Sequence, residues 1–182
     1  MKDKRKALSA TALLLVLSWF GPGQTWFEVS MSPNDESVLL KSFDGYTAFA
    51  FISPLLLVSS AGFGMAMLSK KRSRTIALFI AAVAQLSLAI LALVKFASQD
   101  LSGVAKQIES ATGIAANHGL DGVATNTQAA GFFAVSFLFL GGLALLANAI
   151  SSRDWADTPK KTDQRLKGSK PKDSISLWDQ QR

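Results

Sequence analysis

Three stretches of this chain, residues 46–68, 75–97 and 129–150, each run for more than twenty residues, and together they hold one charged side chain, Lys95. A hydrocarbon core about 30 Å thick needs roughly 20 helical residues to cross it. A soluble helix of that length carries a polar face, and these windows have none. Each is expected to span a membrane. A fourth window, 7–20, is shorter and ends at Gly21-Pro22-Gly23. It reaches spanning length only by running on to Trp26 and Phe27 with a bend at Pro22, as a first span of about 7–27. The alternative is a cleaved signal peptide, because Lys2, Lys4, Arg5 and Lys6 precede the apolar run. Against it, "SWFGPGQTW" lacks the small-x-small pattern of a cleavage site.

Charge placement then orients the spans. Four Lys/Arg lie in residues 1–6, four in the turn at Lys70, Lys71, Arg72 and Arg74, and eight in 151–182. The loops 24–45 and 98–128 hold one each, Lys41 and Lys106. Basic residues stay on the cytoplasmic side. The expected arrangement is thus a four-transmembrane-helix bundle, all-α, in the cell membrane with both termini cytoplasmic. Lys70, Lys71, Arg72 and Arg74 are the topology determinants that turn spans two and three into a hairpin. Residues 7–150 form the membrane domain, and the basic tail 151–182, broken by Pro159, Gly168 and Pro171, is expected to be flexible. A net charge of +6 could suggest nucleic acid. Its placement beside apolar segments argues for membrane orientation instead, so the lipid bilayer and no nucleic acid is expected as partner.

The outer loops have patterns of their own. Runs 25–31 and 37–43 flank the turn-rich Ser32-Pro33-Asn34-Asp35-Glu36, which describes a β-hairpin. Glu28, Asp35, Glu36 and Asp44 lack the alternate spacing of a calcium loop, so a solvated hairpin is the expectation. Leu101, Val104, Ala105, Ile108, Ala111 and Ala115 recur at helical spacing, as in a short amphipathic helix lying on the membrane or packing on the hairpin. "NHGLDGVATNTQ" reads as loop, with His118 the sole histidine. Trp26 and Trp155 stand near span ends, where interface aromatics belong.

Chemistry-bearing motifs are sparse. The chain has no cysteine, which excludes disulfides, thiolate metal sites and thiol catalysis. Spans two to four hold no Asp, Glu or His, the residues that build proton relays and intramembrane metal sites. No catalytic, cofactor-binding or metal-ligating set is expected. Gln85 is expected to hydrogen-bond across helices, and Ser60-x-x-x-Gly64, Gly62-x-x-x-Ala66 and Ala77-x-x-x-Ala81 to bring backbones close. Pro54 is expected to bend span two by freeing the carbonyl of Ala50.

The basic start, "DGYTAFAFISPLLLVSSAGFG", the short basic turn, "SRDW" after the fourth span and the tail's "ISLWDQQR" resemble the tryptophan-associated transmembrane proteins, small actinobacterial membrane proteins. The resemblance implies a link to tryptophan metabolism through gene neighbourhood, and no catalytic residue. It also implies that Leu177, Trp178 and Asp179 match the family's acidic, tryptophan-bearing tail motif. The chain departs from the family by closing at Arg182 without a Gly-x-Asp-Pro-Thr ending. The leading functional expectation is a non-enzymatic accessory protein recruiting a cytoplasmic partner, with Leu177, Trp178 and Asp179 as its anchor. The rival is a small permease or efflux component for an aromatic or indole-type compound, working as a homo-oligomer because four helices rarely enclose a path alone. A third reading is a sensor whose outer cap binds a ligand. Pull-down with and without the tail, set against flux of aromatic amino acids, separates them.

Overall fold

The computed structural model describes residues 2–31, 38–112, 123–152 and 155. Its long helices are α1 (Lys2–Phe20), α3 (Ile52–Leu68), α4 (Lys71–Ala97) and α6 (Ala129–Ser151). The strands β1 (Thr25–Met31), β2 (Val38–Asp44) and β3 (Val123–Thr127), with the short helices α2 (Gly45–Ala48) and α5 (Ala105–Thr112), build a cap at one end. The other end, which carries Lys2 and the α3–α4 turn, is the basic end. Among the described residues three helices are long and apolar enough to cross a membrane: α1, continued through the Gly21–Gly23 turn, α4 and α6. The fourth apolar helix, α3, has 17 residues, a length of about 25 Å at 1.5 Å per residue.

On α4 the inward face is rich in alanine, interleaved with Leu78, Leu88 and Phe96, and most of the branched and aromatic side chains face outward. The buried face of α4 runs Ala77, Leu78, Ala81, Ala82, Gln85, Leu88, Ala89, Ala92 and Phe96, whereas Ile76, Phe79, Ile80, Val83, Ile90, Leu91 and Val94 are exposed. Water would penalise so broad an apolar exterior. Lipid is neutral toward it, and close approach of small residues then supplies the packing. A Cβ on Gly62 would lie 2.9 Å from that of Ala81, so α3 and α4 touch backbone to backbone there. Of the expected small-residue pairs, Gly62/Ala66 and Ala77/Ala81 are buried. Gly64 faces open space, with nothing within 4 Å of where a Cβ would stand.

Four boundaries differ from the sequence expectation. The first helix does not run on to Trp26 and Phe27. It stops at Phe20, gains its length from Lys2 onward, and hands over to a 3-10 turn at Gly21–Gly23. Continuing would have set the ring of Pro22 against the carbonyl of Ser18. Trp26 and Phe27 lie in β1 instead. Span two is interrupted: α2 ends at Ala48, Phe49 is extended, and α3 begins at Ile52. Pro54 therefore sits in the first turn of α3, where its missing N–H removes no helical bond, and it starts a helix rather than bending one. The basic knot is not all turn, because Lys71, Arg72 and Arg74 form the first turn of α4 and only Ser69 and Lys70 connect it to α3.

The hairpin is present, with β1 paired antiparallel to β2. A third strand joins it, since the segment read as loop contributes β3 on the other side of β1, giving the order β2-β1-β3. The register jumps from Thr25↔Asp44 to Phe27↔Phe43, which leaves Trp26 as the extra residue of a bulge. Alternation breaks there, and both Trp26 and Phe27 turn inward, each fully buried. The amphipathic segment is helical and packs on the sheet, with Leu101, Val104 and Ile108 in the same core as Phe27, Val29 and Phe43. The expected tight turn at 32–36, Ala115, His118 and the tail 156–182 lie outside the described residues.

Candidate functional site

Two polar links hold the bundle interior. Gln85 on α4 is fully buried between an upper core built around Phe96 and Leu88 and a lower one built around Leu78 and Leu145. Ser59 Oγ of α3 lies 2.7 Å from its Oε1, with the carbonyl of Leu56, at 3.0 Å, as the alternative acceptor for that hydroxyl hydrogen. Gln85 Nε2 donates to Ser18 Oγ of α1 at 3.2 Å and, at 3.4 Å, to the carbonyl of Leu138 on α6. One carboxamide thus joins all four long helices. Gly141 permits this, because a Cβ there would lie 3.2 Å from Ser18 Oγ and 3.3 Å from Gln85 Nε2. Lower down, Asn148 Nδ2 donates to Thr11 Oγ1 at 2.6 Å, and Thr11 donates to the carbonyl of Ala7 at 3.0 Å. Gln85 therefore bridges helices as its sequence context indicated. Its partner Ser18, and Thr11 below it, were not singled out, although Thr11, Leu15 and Ser18 recur at helical spacing on one face of α1.

The cap rests on an aromatic floor. Trp26 packs edge-on against Phe49 and Phe96, with centroids 5.9 and 5.6 Å apart, and Phe27 lies 5.3 Å from Phe96. Such pairs add stability beyond the area they bury. Two glycines make room for it. A Cβ on Gly45 would meet the Trp26 ring at 2.8 Å, and one on Gly131 would meet Phe96 at 2.3 Å. The indole N–H of Trp26 donates to the carbonyl of Gly21 at 3.1 Å. Trp26 is thus a core residue and not an interface aromatic: the bulge carries it inward. Asp44 caps α2, accepting the Thr47 N–H at 2.6 Å, so this acid is committed to the backbone. Among the described residues no three His, Cys, Asp or Glu side chains gather as a metal site would need.

The remaining expected positions lie at the ends. Lys70, Lys71 and Arg72 are exposed at the start of α4, while Arg74 is buried and donates to the carbonyl of Ser69 at 3.1 Å. Thr75 Oγ1 and Ser152 Oγ approach to 2.7 Å and tie α4 to the end of α6. Trp155 is half-buried just past α6, its N–H donating to the carbonyl of Ser152 at 3.3 Å. At the cap end of α4, Lys95 pairs with Asp100. That bond, with the Ser102 hydroxyl and N–H, holds the Asp100 carboxyl well below the usual carboxylate range. Leu177, Trp178 and Asp179 lie outside the described residues.

An apolar bundle with inward small residues, a basic end and a folded cap is the architecture of a small multi-pass membrane protein. The sequence profile described as tryptophan-associated transmembrane protein matches residues 7–180. The chain belongs to that family. The match takes in the bundle from Ala7 onward and the cap of this tryptophan-associated transmembrane protein, and it also covers Leu177, Trp178 and Asp179. No curated protein matches the chain. The tryptophan-associated transmembrane family is one of unknown function, so its name assigns no chemistry to the polar centre around Gln85.

Proposed function

We propose that this protein is a four-span, non-enzymatic accessory protein of the cell membrane that recruits a cytoplasmic partner through its basic tail, in a process linked to tryptophan metabolism. The observation that carries this reading is the use made of Gln85. A carboxamide that could line a substrate path is instead enclosed, bonded to α1, α3 and α6, and pressed by Gly141. This supports a packed scaffold and leaves the extramembranous parts to act. In this reading α3 completes the fourth span, because 17 residues is the short end of the spanning range. It runs antiparallel to α4 after the two-residue turn. Sixteen of nineteen Lys/Arg then fall on the cytoplasmic side and the cap lies outside.

The test is recovery of partners from solubilised membranes with the full chain, with 151–182 removed, and with Trp178→Ala. An anchoring tryptophan typically contributes at least about 2 kcal/mol, more than tenfold in affinity, so both changes are expected to abolish recovery while membrane insertion persists. Recovery that survives Trp178→Ala but fails when Lys160, Lys161, Lys167, Lys170 and Lys172 are neutralised would make the tail an electrostatic membrane anchor. Uptake of tryptophan or indole by reconstituted protein, driven by a pH gradient, would replace this reading with the permease.

A further inference from the structure

At the basic end a depression of about 520 Å³ opens beside the first turns of α4, lined by Lys71, Arg72, Thr75 and Ile76. Two of its walls are cations with exposed side chains, and a third charge, Lys70, is exposed next to them. The opposite side is apolar. From Ile76 the exposed surface of α4 continues through Phe79, Ile80 and Val83; the four are 61, 55, 53 and 49% exposed respectively. Arg72, Ile76, Phe79, Ile80 and Val83 follow one another at three- and four-residue steps or lie beside them, so they share one strip of the helix. The strip starts charged at the basic end and turns apolar within one turn. Thr75, bonded to Ser152 of α6, fixes the inner wall at the junction of the two helices.

We infer that this depression is a binding site for an anionic phospholipid, its phosphate between Lys71 and Arg72 and one acyl chain along Ile76, Phe79, Ile80 and Val83. A phosphate matches a guanidinium in charge and in hydrogen-bonding geometry, and clustered Lys/Arg at the end of a membrane helix attract anionic headgroups. Free phosphate shares the headgroup chemistry but has nothing to place on the apolar strip. The site therefore selects the lipid. It is distinct from the tail, which carries its own basic residues, and it does not depend on the tail's function.

The experiment uses the full chain purified in detergent, with lipid adducts counted by native mass spectrometry during titration with phosphatidylglycerol or phosphatidylcholine. The Lys71→Gln/Arg72→Gln protein is expected to bind phosphatidylglycerol about thirtyfold more weakly, with phosphatidylcholine binding unchanged. Ile76→Asn is expected to weaken phosphatidylglycerol with no effect on any retention of inorganic phosphate. All three side chains are on the surface, and an unchanged melting temperature in neutral detergent confirms folding. A Lys41→Gln/Lys106→Gln protein, altered only in β2 and α5 of the cap, is expected to behave as wild type. Equal losses in that control, or none in Lys71→Gln/Arg72→Gln, would overturn the site in favour of diffuse attraction. Displacement of the lipid by millimolar inorganic phosphate, or indifference to Ile76→Asn, would overturn the assignment to a lipid.

Discussion

Replacing Gln85 with leucine removes a side chain that touches all four long helices. It breaks the short contact to Ser59 at 2.7 Å, the bond to Ser18 at 3.2 Å and the longer one to Leu138 at 3.4 Å. Neither serine is orphaned by the change. Ser59 falls back on the carbonyl of Leu56, and Ser18 keeps those of Leu14 and Phe137, so no desolvation penalty is added. Interhelical side-chain bonds inside membranes average about 0.6 kcal/mol, with a ceiling of about 1.7. Two good bonds then give a loss of about 1 to 2 kcal/mol for Gln85→Leu. The Gln85–Ser59 pair, short and fully enclosed, is expected to account for about 1 kcal/mol as coupling. The assay is reversible unfolding in mixed micelles, followed by circular dichroism, for wild type, Gln85→Leu, Ser59→Ala and the double variant. A coupling below about 0.2 kcal/mol would show that the carboxamide does not bridge α3 and α4. The packed-scaffold reading would lose its support with it.

Gly131→Ala sets a methyl 2.3 Å from the Phe96 ring and is expected to cost about 1–3 kcal/mol, whereas Gly64→Ala, facing open space, is expected to be neutral or stabilising by up to about 1 kcal/mol; thermal melts in one detergent compare the two. Gln99 closes α4 at φ 50° with its N–H on the carbonyl of Phe96 and that of Asp100 on Lys95, so Gln99→Gly is expected to raise stability by up to about 1 kcal/mol. The Asp100 carboxyl is held low in the folded protein, so its contribution is complete above about pH 4, the unfolded value, and is lost as pH falls below it. Being partly exposed, the pair contributes at most about 1 kcal/mol, and the melting temperature of Asp100→Asn should approach that of wild type on acidification. Cysteines introduced at Ser110 and Ser73, both exposed, are expected to react with an impermeant reagent on intact cells at the first position only. Labelling of Ser73 from outside would reverse the proposed orientation.

What was legible in the sequence follows from which forces act locally. Residues 75–97 and 129–150 were read within a few residues of α4 and α6, because sustained hydropathy is a property of the segment itself. The hairpin was readable for a similar reason, two β-rich runs around a turn cluster. Strand β3 was not, since Val123-Ala124-Thr125-Asn126-Thr127 shows no apolar/polar alternation in its sequence. It is a strand because β1, remote in sequence, offers it backbone groups. The same distance effect hid the end of α1. Nothing local distinguishes a helix that bends at Pro22 from one that stops there, and the outcome depends on a bulge that seats Trp26 among Phe49 and Phe96. Gln85 was legible as a bridge because a carboxamide in an apolar helix must find a partner. Ser18 and Ser59 as those partners depend on how four helices meet.

The position of β1 at the middle of the sheet has a mechanical meaning. It follows α1, pairs on one side with the strand that leads into α2 and α3, and on the other with the strand that leads into α6. The Gln128 N–H donates to the carbonyl of Trp26 at 2.9 Å and fastens the start of α6 to it directly. The tops of α1, α3 and α6 are therefore laced together by main-chain bonds, whereas their lower halves meet through side chains such as Asn148 and Thr11. A displacement that preserves the lacing must pivot at the cap and spread the helices at the basic end, as the jaws of a peg open away from its spring. A force applied to the segment after α6 would act at the far end of that lever.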